Sequence, residues 1–204
     1  MHDELIARRD DYPILGRSTY LINNSLGAMH RDTRLRLREF ADRWDTEGVV
    51  AWNTWFPEMT RVANLIGATI GAPPGTTVLR QSVADAIVAI ASCFDFGGTR
   101  NRVVTTAADW PGTHYFWTEH LSRTGGELVV VPYDADGLTI DTGSIVDAID
   151  DRTLVVSVSL VQFRTSALLD LAPVVAAAKR HGAYVLLDAF SSSGMSNCSR
   201  RNRR

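Results

Sequence analysis

The sequence predicts an α/β fold, a three-layer α/β/α domain built on a mostly parallel sheet. Three observations carry that expectation. From about residue 76 onward, strand-like and helix-like segments alternate without interruption. The runs Val155-Val156-Ser157-Val158 and Tyr184-Val185-Leu186-Leu187 are continuous, as in strands buried on both faces, rather than alternating with polar residues. Strands separated by helix-length segments pair in parallel through right-handed crossovers.

The elements follow in order. Thr77-Val78-Leu79-Arg80-Gln81 reads as a short strand. The apolar segment from Ser82 to Gly98 reads as a helix, with Ser82 as its N-cap and glycines past its end. Residues 101–106 form a strand. Residues 112–126 form a helix closed by Gly125-Gly126. A strand over 127–134 leads to a short helix near Thr142 to Ile149 and a strand over 153–161. The segment from Asp170 to Gly182 is a helix with Pro173 in its first turn. Residues 183–188 make the last strand. Ahead of this region, helices are expected at about Asp32 to Asp45 and Pro57 to Gly71. The aromatic stretch VVAWNTWF, residues 49–56, is expected as a loop between them. The expected division is 1–75 for the N-terminal helices and the loop before them, 76–194 for the sheet region and 195–204 for a disordered tail.

The composition is that of an ordinary globular chain: 204 residues, 45% hydrophobic, 22% charged and a net charge of −2. Cys93 and Cys198 sit in different contexts and suggest neither a disulfide framework nor a metal site. The charged N-terminus is unlike a secretory signal, and no apolar run approaches the roughly 18 residues of a membrane helix. A cytoplasmic protein with no membrane partner is expected. Arg200, Arg201, Arg203 and Arg204 are the one feature suited to nucleic acid, too few on one tail to predict that partner.

In open parallel sheets, ligands sit beyond the carboxyl ends of the strands. The sequence places there a helix start at Ser82-Val83, where free N–H groups favour an anion. It also places Asp109-Trp110-Pro111-Gly112-Thr113, then Ser159 and Gln162, then Asp188. A phosphate seat, a flat aromatic ring and a strand-end carboxylate suit a phosphorylated aromatic cofactor, and pyridoxal 5'-phosphate (PLP) is such a molecule. Each feature also has an ordinary reading: Ser82 as a plain N-cap, Trp110 as a core edge, Asp188 as a turn former. Nucleotide motifs of the GxGxxG or GxxxxGK[ST] type do not occur.

With those residues in place, the chain resembles the kynureninase-like branch of the class V aminotransferase family, PLP-dependent enzymes of fold type I. The segments that carry the resemblance are YLINNSLGAM (Tyr20 to Met29), WDTEGVVAW, RQSVADAI, DWPGTHY and the run from Ser159 to Gly194. The resemblance implies cofactor contacts at Ser82, Val83, Trp110, Thr113, Ser159 and Asp188, with Asp188 as the partner of the ring nitrogen. It implies substrate contacts at Asn24 and Ser25, a small amino-acid substrate and a homodimer. Ser191 stands where kynureninases carry His, and Val83 where a hydroxyl is usual.

The family's Schiff-base lysine lies beyond the aspartate strand. The only lysine here, Lys179, sits at the end of a predicted helix, where a cation complements the helix dipole. The resemblance therefore implies a truncated, inactive chain without a catalytic residue of its own. A non-catalytic module that binds a phosphate or the cofactor remains the alternative.

Overall fold

A computed structural model of the chain describes residues 6–191. Two compact units are present, one formed by Met1–Ala68 and Pro73–Val78, the other by Thr69–Ala72 and Leu79–Arg204.

In the first unit, α1 (Thr33–Glu47) ends at Gly48, whose φ of 53° lies in the left-handed region that glycine tolerates. A 3-10 turn over Gly48–Ala51 leads directly into α2 (Trp52–Thr69). The aromatic stretch expected as a loop is therefore helical. Pro57, read as a first-turn residue, lies inside α2, one turn after the start that Trp52 provides. The rings explain the difference. Phe40 stacks on Trp55 at 4.6 Å, and Trp44 meets Trp55 edge-on at 6.5 Å, so α1 and the first turn of α2 pair through aromatic contacts. Asp11 is buried before α1 and accepts from Arg31 Nη2 at 2.8 Å, while the Arg31 N–H donates to the Asp11 carbonyl at 2.8 Å.

The second unit holds α3 (Val83–Ala91), β1 (Arg102–Thr106), α4 (Pro111–Thr124), β2 (Glu127–Val131), α5 (Thr142–Asp147), β3 (Thr153–Ser159), α6 (Leu171–Arg180) and β4 (Tyr184–Asp188). The four strands form one sheet in the order β2-β1-β3-β4, every neighbour parallel. Side chains of the central strands alternate between two cores. Val104, Val156 and Val158 pack with Ile145, Ile149, Val174, Ala177 and Ala178 from the α5/α6 side. Val103 and Val155 pack with Ile87, Ala91, Phe96, Trp117 and Leu121 from the α3/α4 side. The layers are thus helices, sheet, helices, as the sequence predicts.

Residues 77–81 are not a strand. Val78 is 80% exposed, and Arg80 and Gln81 are drawn to Asp85 instead of to a neighbouring strand. The segment leads into the α3 cap without regular structure of its own. Residues 195–204, expected to be disordered, lie outside the described residues. At the amino ends of the strands, Arg102 pairs with Glu127 at 3.1 Å and also with Asp150, and Arg152 pairs with Glu127 at 2.9 Å. Charge at that end ties β1, β2 and β3 together and leaves the carboxyl ends to other chemistry. Among the described residues, no helix is long and apolar enough to cross a membrane.

Candidate active site

The strand order places a switch point between β1 and β3. The chain leaves β1 toward β2 on one side, whereas β3 and β4 extend the sheet on the other. Crevices form at such points because consecutive connections diverge. A cavity of about 290 Å³ lies at the carboxyl ends, lined among others by Val83, Asp109, Thr113, Ser159, Asp188 and Phe190.

Ser82 caps α3. Its Oγ accepts from the Asp85 N–H at 3.1 Å, and Asp85 Oδ2 accepts from the N–H of Gln81, just before the cap, at 3.3 Å. With the Asp85 N–H held by Ser82 Oγ and the Ala86 N–H by the Ser82 carbonyl, the N–H groups of Val83 and Ala84 have no acceptor within the helix. Arg80 Nη2 lies 2.9 Å from Asp85 Oδ1 and offsets the one acid in the first turn. This helix start can therefore receive an anion.

The β1–α4 turn contributes next. Pro111 opens α4, Thr113 is buried in its first turn, and His114 Nε2 donates to the Thr106 carbonyl at 2.7 Å. Trp110 is the N-cap residue and is 51% exposed; it is not among the residues lining the cavity. Its ring stands edge-on to Phe163, 4.4 Å away. Phe163 belongs to the hairpin after β3, which is pinned by the Phe163 N–H donating to the Ala108 carbonyl at 3.2 Å and closed by the Val161–Leu168 bridge. Gln162 is buried there and accepts from Thr165 Oγ1 at 3.0 Å.

Ser159 and Asp188 are register partners at the ends of β3 and β4. Asp188 Oδ1 accepts from the Phe190 N–H at 2.9 Å, and no described residue donates to Oδ2. One oxygen fixes the carboxylate, and the other faces no donor among the hydrogen bonds of the described residues.

The structure thus gathers Val83, Thr113, Ser159 and Asp188 around one cavity, with Ser82 capping its helix. Trp110 stands beside this set. Asn24 and Ser25 belong to the other unit. They are exposed in a loop held by Tyr20 Oη donating to the Leu26 carbonyl at 2.5 Å and by the Ala28 N–H donating to Asn23 Oδ1 at 2.7 Å. Sequence reasoning named Asp109 only as part of its segment and did not single out Phe163. Asp109 is 5% exposed and accepts from Thr105, Thr106 and Ser159. The signal was present as a strand-end acid, but its bridging role depends on Ser159, 50 residues away.

A parallel α/β/α sheet with a ligand-sized crevice at its switch point is the architecture of a cofactor- or nucleotide-binding enzyme domain. The family model "Aminotransferase class-V" matches residues 55–199, and the chain belongs to that family. Curated relatives include a kynureninase of Bacillus anthracis, 25% identical, covering 95% of this chain and 47% of the relative. A kynureninase of Xanthomonas oryzae pv. oryzae is 28% identical, covering 86% of this chain and 44% of the relative. The chain spans about half the length of the curated relatives it matches. Among solved structures, the cysteine desulfurase CsdA from Escherichia coli superposes with a TM-score of 0.75 at 18% identity, over 95% of this chain and 49% of the other. A lysine-to-alanine mutant of C-DES, with glycine covalently linked to its PLP cofactor, superposes with a TM-score of 0.74 at 19% identity, over 91% and 50%. The fold is the one those structures share.

Proposed function

We propose that this chain is the cofactor-holding portion of a PLP-dependent enzyme of the kynureninase or class V aminotransferase type, acting on a small amino acid by carbon–carbon bond hydrolysis or transamination. The observation that carries the reading is the convergence of the α3 start and Asp188 on one cavity. The residues present fit the group: an anion seat at the α3 start, a strand-end carboxylate at Asp188, and apolar wall residues Ile87, Ile90, Leu186 and Leu187 in the same cavity.

In this reading the N–H groups of Val83 and Ala84 hold the phosphate, and Ser82 keeps that helix start in shape. Thr113 and Ser159, which line the cavity, would contact the cofactor, and Trp110, beside the cavity, is proposed as a further contact. Asp188 Oδ2 accepts the ring N–H and keeps that nitrogen protonated. When bound, the cofactor supplies an electron sink for charge developing on the amino acid. Asn24 and Ser25 are proposed to meet the substrate, and a homodimer is proposed on the family resemblance.

A second reading, a cofactor-binding module without turnover of its own, is favoured by one observation. The only lysine, Lys179, lies near the end of α6 and contributes nothing to the cavity wall. No residue of this chain is therefore assigned a catalytic role.

Equilibrium dialysis with 4'-deoxypyridoxine phosphate, a phosphorylated pyridine without an aldehyde, tests the shared core of both readings. Saturable binding that is lost in Asp188→Ala supports it. Absence of saturable binding, or binding unchanged in Asp188→Ala, refutes it. With PLP itself, the expected outcome is no visible absorbance band that survives dialysis and depends on Lys179.

A further inference from the structure

The β1–β3 ladder stops early. Its register runs Arg102↔Thr153, Val103↔Val155 and Val104↔Val156 and goes no further. β1 continues beside β2 to Thr106↔Val131, and β3 continues beside β4 to Ser159↔Asp188. Two adjacent central strands therefore part in the buried middle of the sheet, where their facing backbone groups still need partners.

Asp109 supplies acceptors for two of them, the Thr106 and Ser159 N–H groups. Its Oδ2 accepts from Thr105 Oγ1 at 3.0 Å, the Thr106 N–H at 2.9 Å and Thr106 Oγ1 at 2.8 Å. Its Oδ1 accepts from the Ser159 N–H at 2.5 Å, across the gap. A simple strand-end turn accounts for the three bonds from Thr105 and Thr106. It does not account for the bond to Ser159, 50 residues along the chain. Asp109 lines the cavity along with Thr113 and Ser159.

We propose that Asp109 is the positioning residue of this site. Its carboxylate stands in for the absent ladder bonds between β1 and β3, sets the width of the crevice, and holds Ser159 and the Trp110–Thr113 turn where a ligand meets them. The effect on ligand binding rests on the cofactor reading above; the effect on the crevice does not.

The test uses the full 204-residue chain and two variants. Asp109→Ala removes every acceptor. Asp109→Asn keeps one acceptor oxygen, enough for either the Ser159 or the Thr106 N–H but not both, and decides the matter if Asp109→Ala does not fold. The first readout is amide hydrogen exchange. Exchange at Ser159 is expected to accelerate about tenfold or more in Asp109→Ala, and less in Asp109→Asn, with Val103 and Val155 unchanged. The second is the dissociation constant of 4'-deoxypyridoxine phosphate, expected to rise about tenfold in Asp109→Ala and less in Asp109→Asn. Unchanged exchange at Ser159 in the folded variants overturns the proposal. So does equal acceleration across all of β1 and β3, which would mark Asp109 as a general stabiliser only. If the unsubstituted chain binds no ligand, the cofactor reading fails, and Ser159 exchange still decides the role of Asp109.

Discussion

Trp110 and Phe163 meet edge to face, with 4.4 Å between ring centroids and 87° between their planes. The contact joins the turn after β1 to the hairpin after β3, on either side of the switch point. Each ring is about half exposed, so the pair orients Trp110 without burying it. Phe163→Ala should let the Trp110 ring swing. An aromatic pair of this kind contributes about 1 kcal/mol beyond its buried area. Affinity for 4'-deoxypyridoxine phosphate should fall by a similar amount, while the thermal midpoint hardly moves. An affinity unchanged within error would show that Trp110 does not face the ligand.

Ser82→Ala should act on stability and binding together. The Ser82 Oγ to Asp85 N–H bond closes the start of α3, and losing such a cap costs about 1 kcal/mol. For a chain of this size that corresponds to a midpoint lower by about 2–4 °C. Because the same helix start is the proposed phosphate seat, inorganic phosphate should stabilise the unsubstituted chain more than the variant. Equal stabilisation of both by phosphate would separate the cap from the anion site.

Ser166 is the one described non-glycine residue with positive φ, at 58°, and it lies in the hairpin that carries Phe163. Such a conformation costs a non-glycine residue on the order of 1 kcal/mol. Ser166→Gly should raise the thermal midpoint. Gly182, with φ of 66°, is the reverse case: an added Cβ would sit 3.1 Å from Arg100 Nη1. Arg100 Nη2 donates to the Thr153 and His181 carbonyls at 2.7 and 2.9 Å. Gly182→Ala should therefore lower the midpoint through backbone strain and through that arginine. Differential scanning calorimetry on both variants checks the opposite signs.

Acid should weaken the amino end of the sheet. Burial pushes the Asp150 carboxyl up and is the largest single effect. The Thr153 hydroxyl, the charges of Arg102 and Arg152 and the Arg152 N–H outweigh it and hold the carboxyl below its usual value. A group depressed in the folded state stabilises the fold above its unfolded pKa, about 3.9, and loses that contribution as pH falls through the lower folded value. Stability should thus decline below about pH 4, and Asp150→Asn should flatten that decline. Its half-exposed position keeps the effect modest. A variant with an unchanged acid limb would remove Asp150 from the account.

The layered fold was legible because hydrophobic runs and caps are local signals. Ser82, Asp170 and Gly125 mark helix ends in the sequence, and the structure places them at those ends. Residues 77–81 misled because β-branched composition says nothing about whether a neighbouring strand exists; Val78 has none and is exposed. Trp52 to Phe56 misled in the other direction, since Pro57 looked like a helix start until the Phe40–Trp55 stack drew the helix back to Trp52. At the site, Thr113, Ser159 and Asp188 could be placed from strand ends, and Val83 from the helix start that Ser82 caps. The bridging role of Asp109 could not, because it depends on where the β1–β3 ladder stops, and no local pattern encodes that.

The central claim is that the crevice at the carboxyl ends of β1, β3 and β4 receives a phosphorylated aromatic ligand. Amide chemical-shift mapping of the chain titrated with 4'-deoxypyridoxine phosphate tests it most directly. Saturable shifts are expected at Val83, Ala84, Thr113, Ser159 and Ala189, all lost in Asp188→Ala. Shifts confined to Arg200 through Arg204 and abolished by moderate salt would instead mark simple attraction of an anion to a basic segment, and would contradict it.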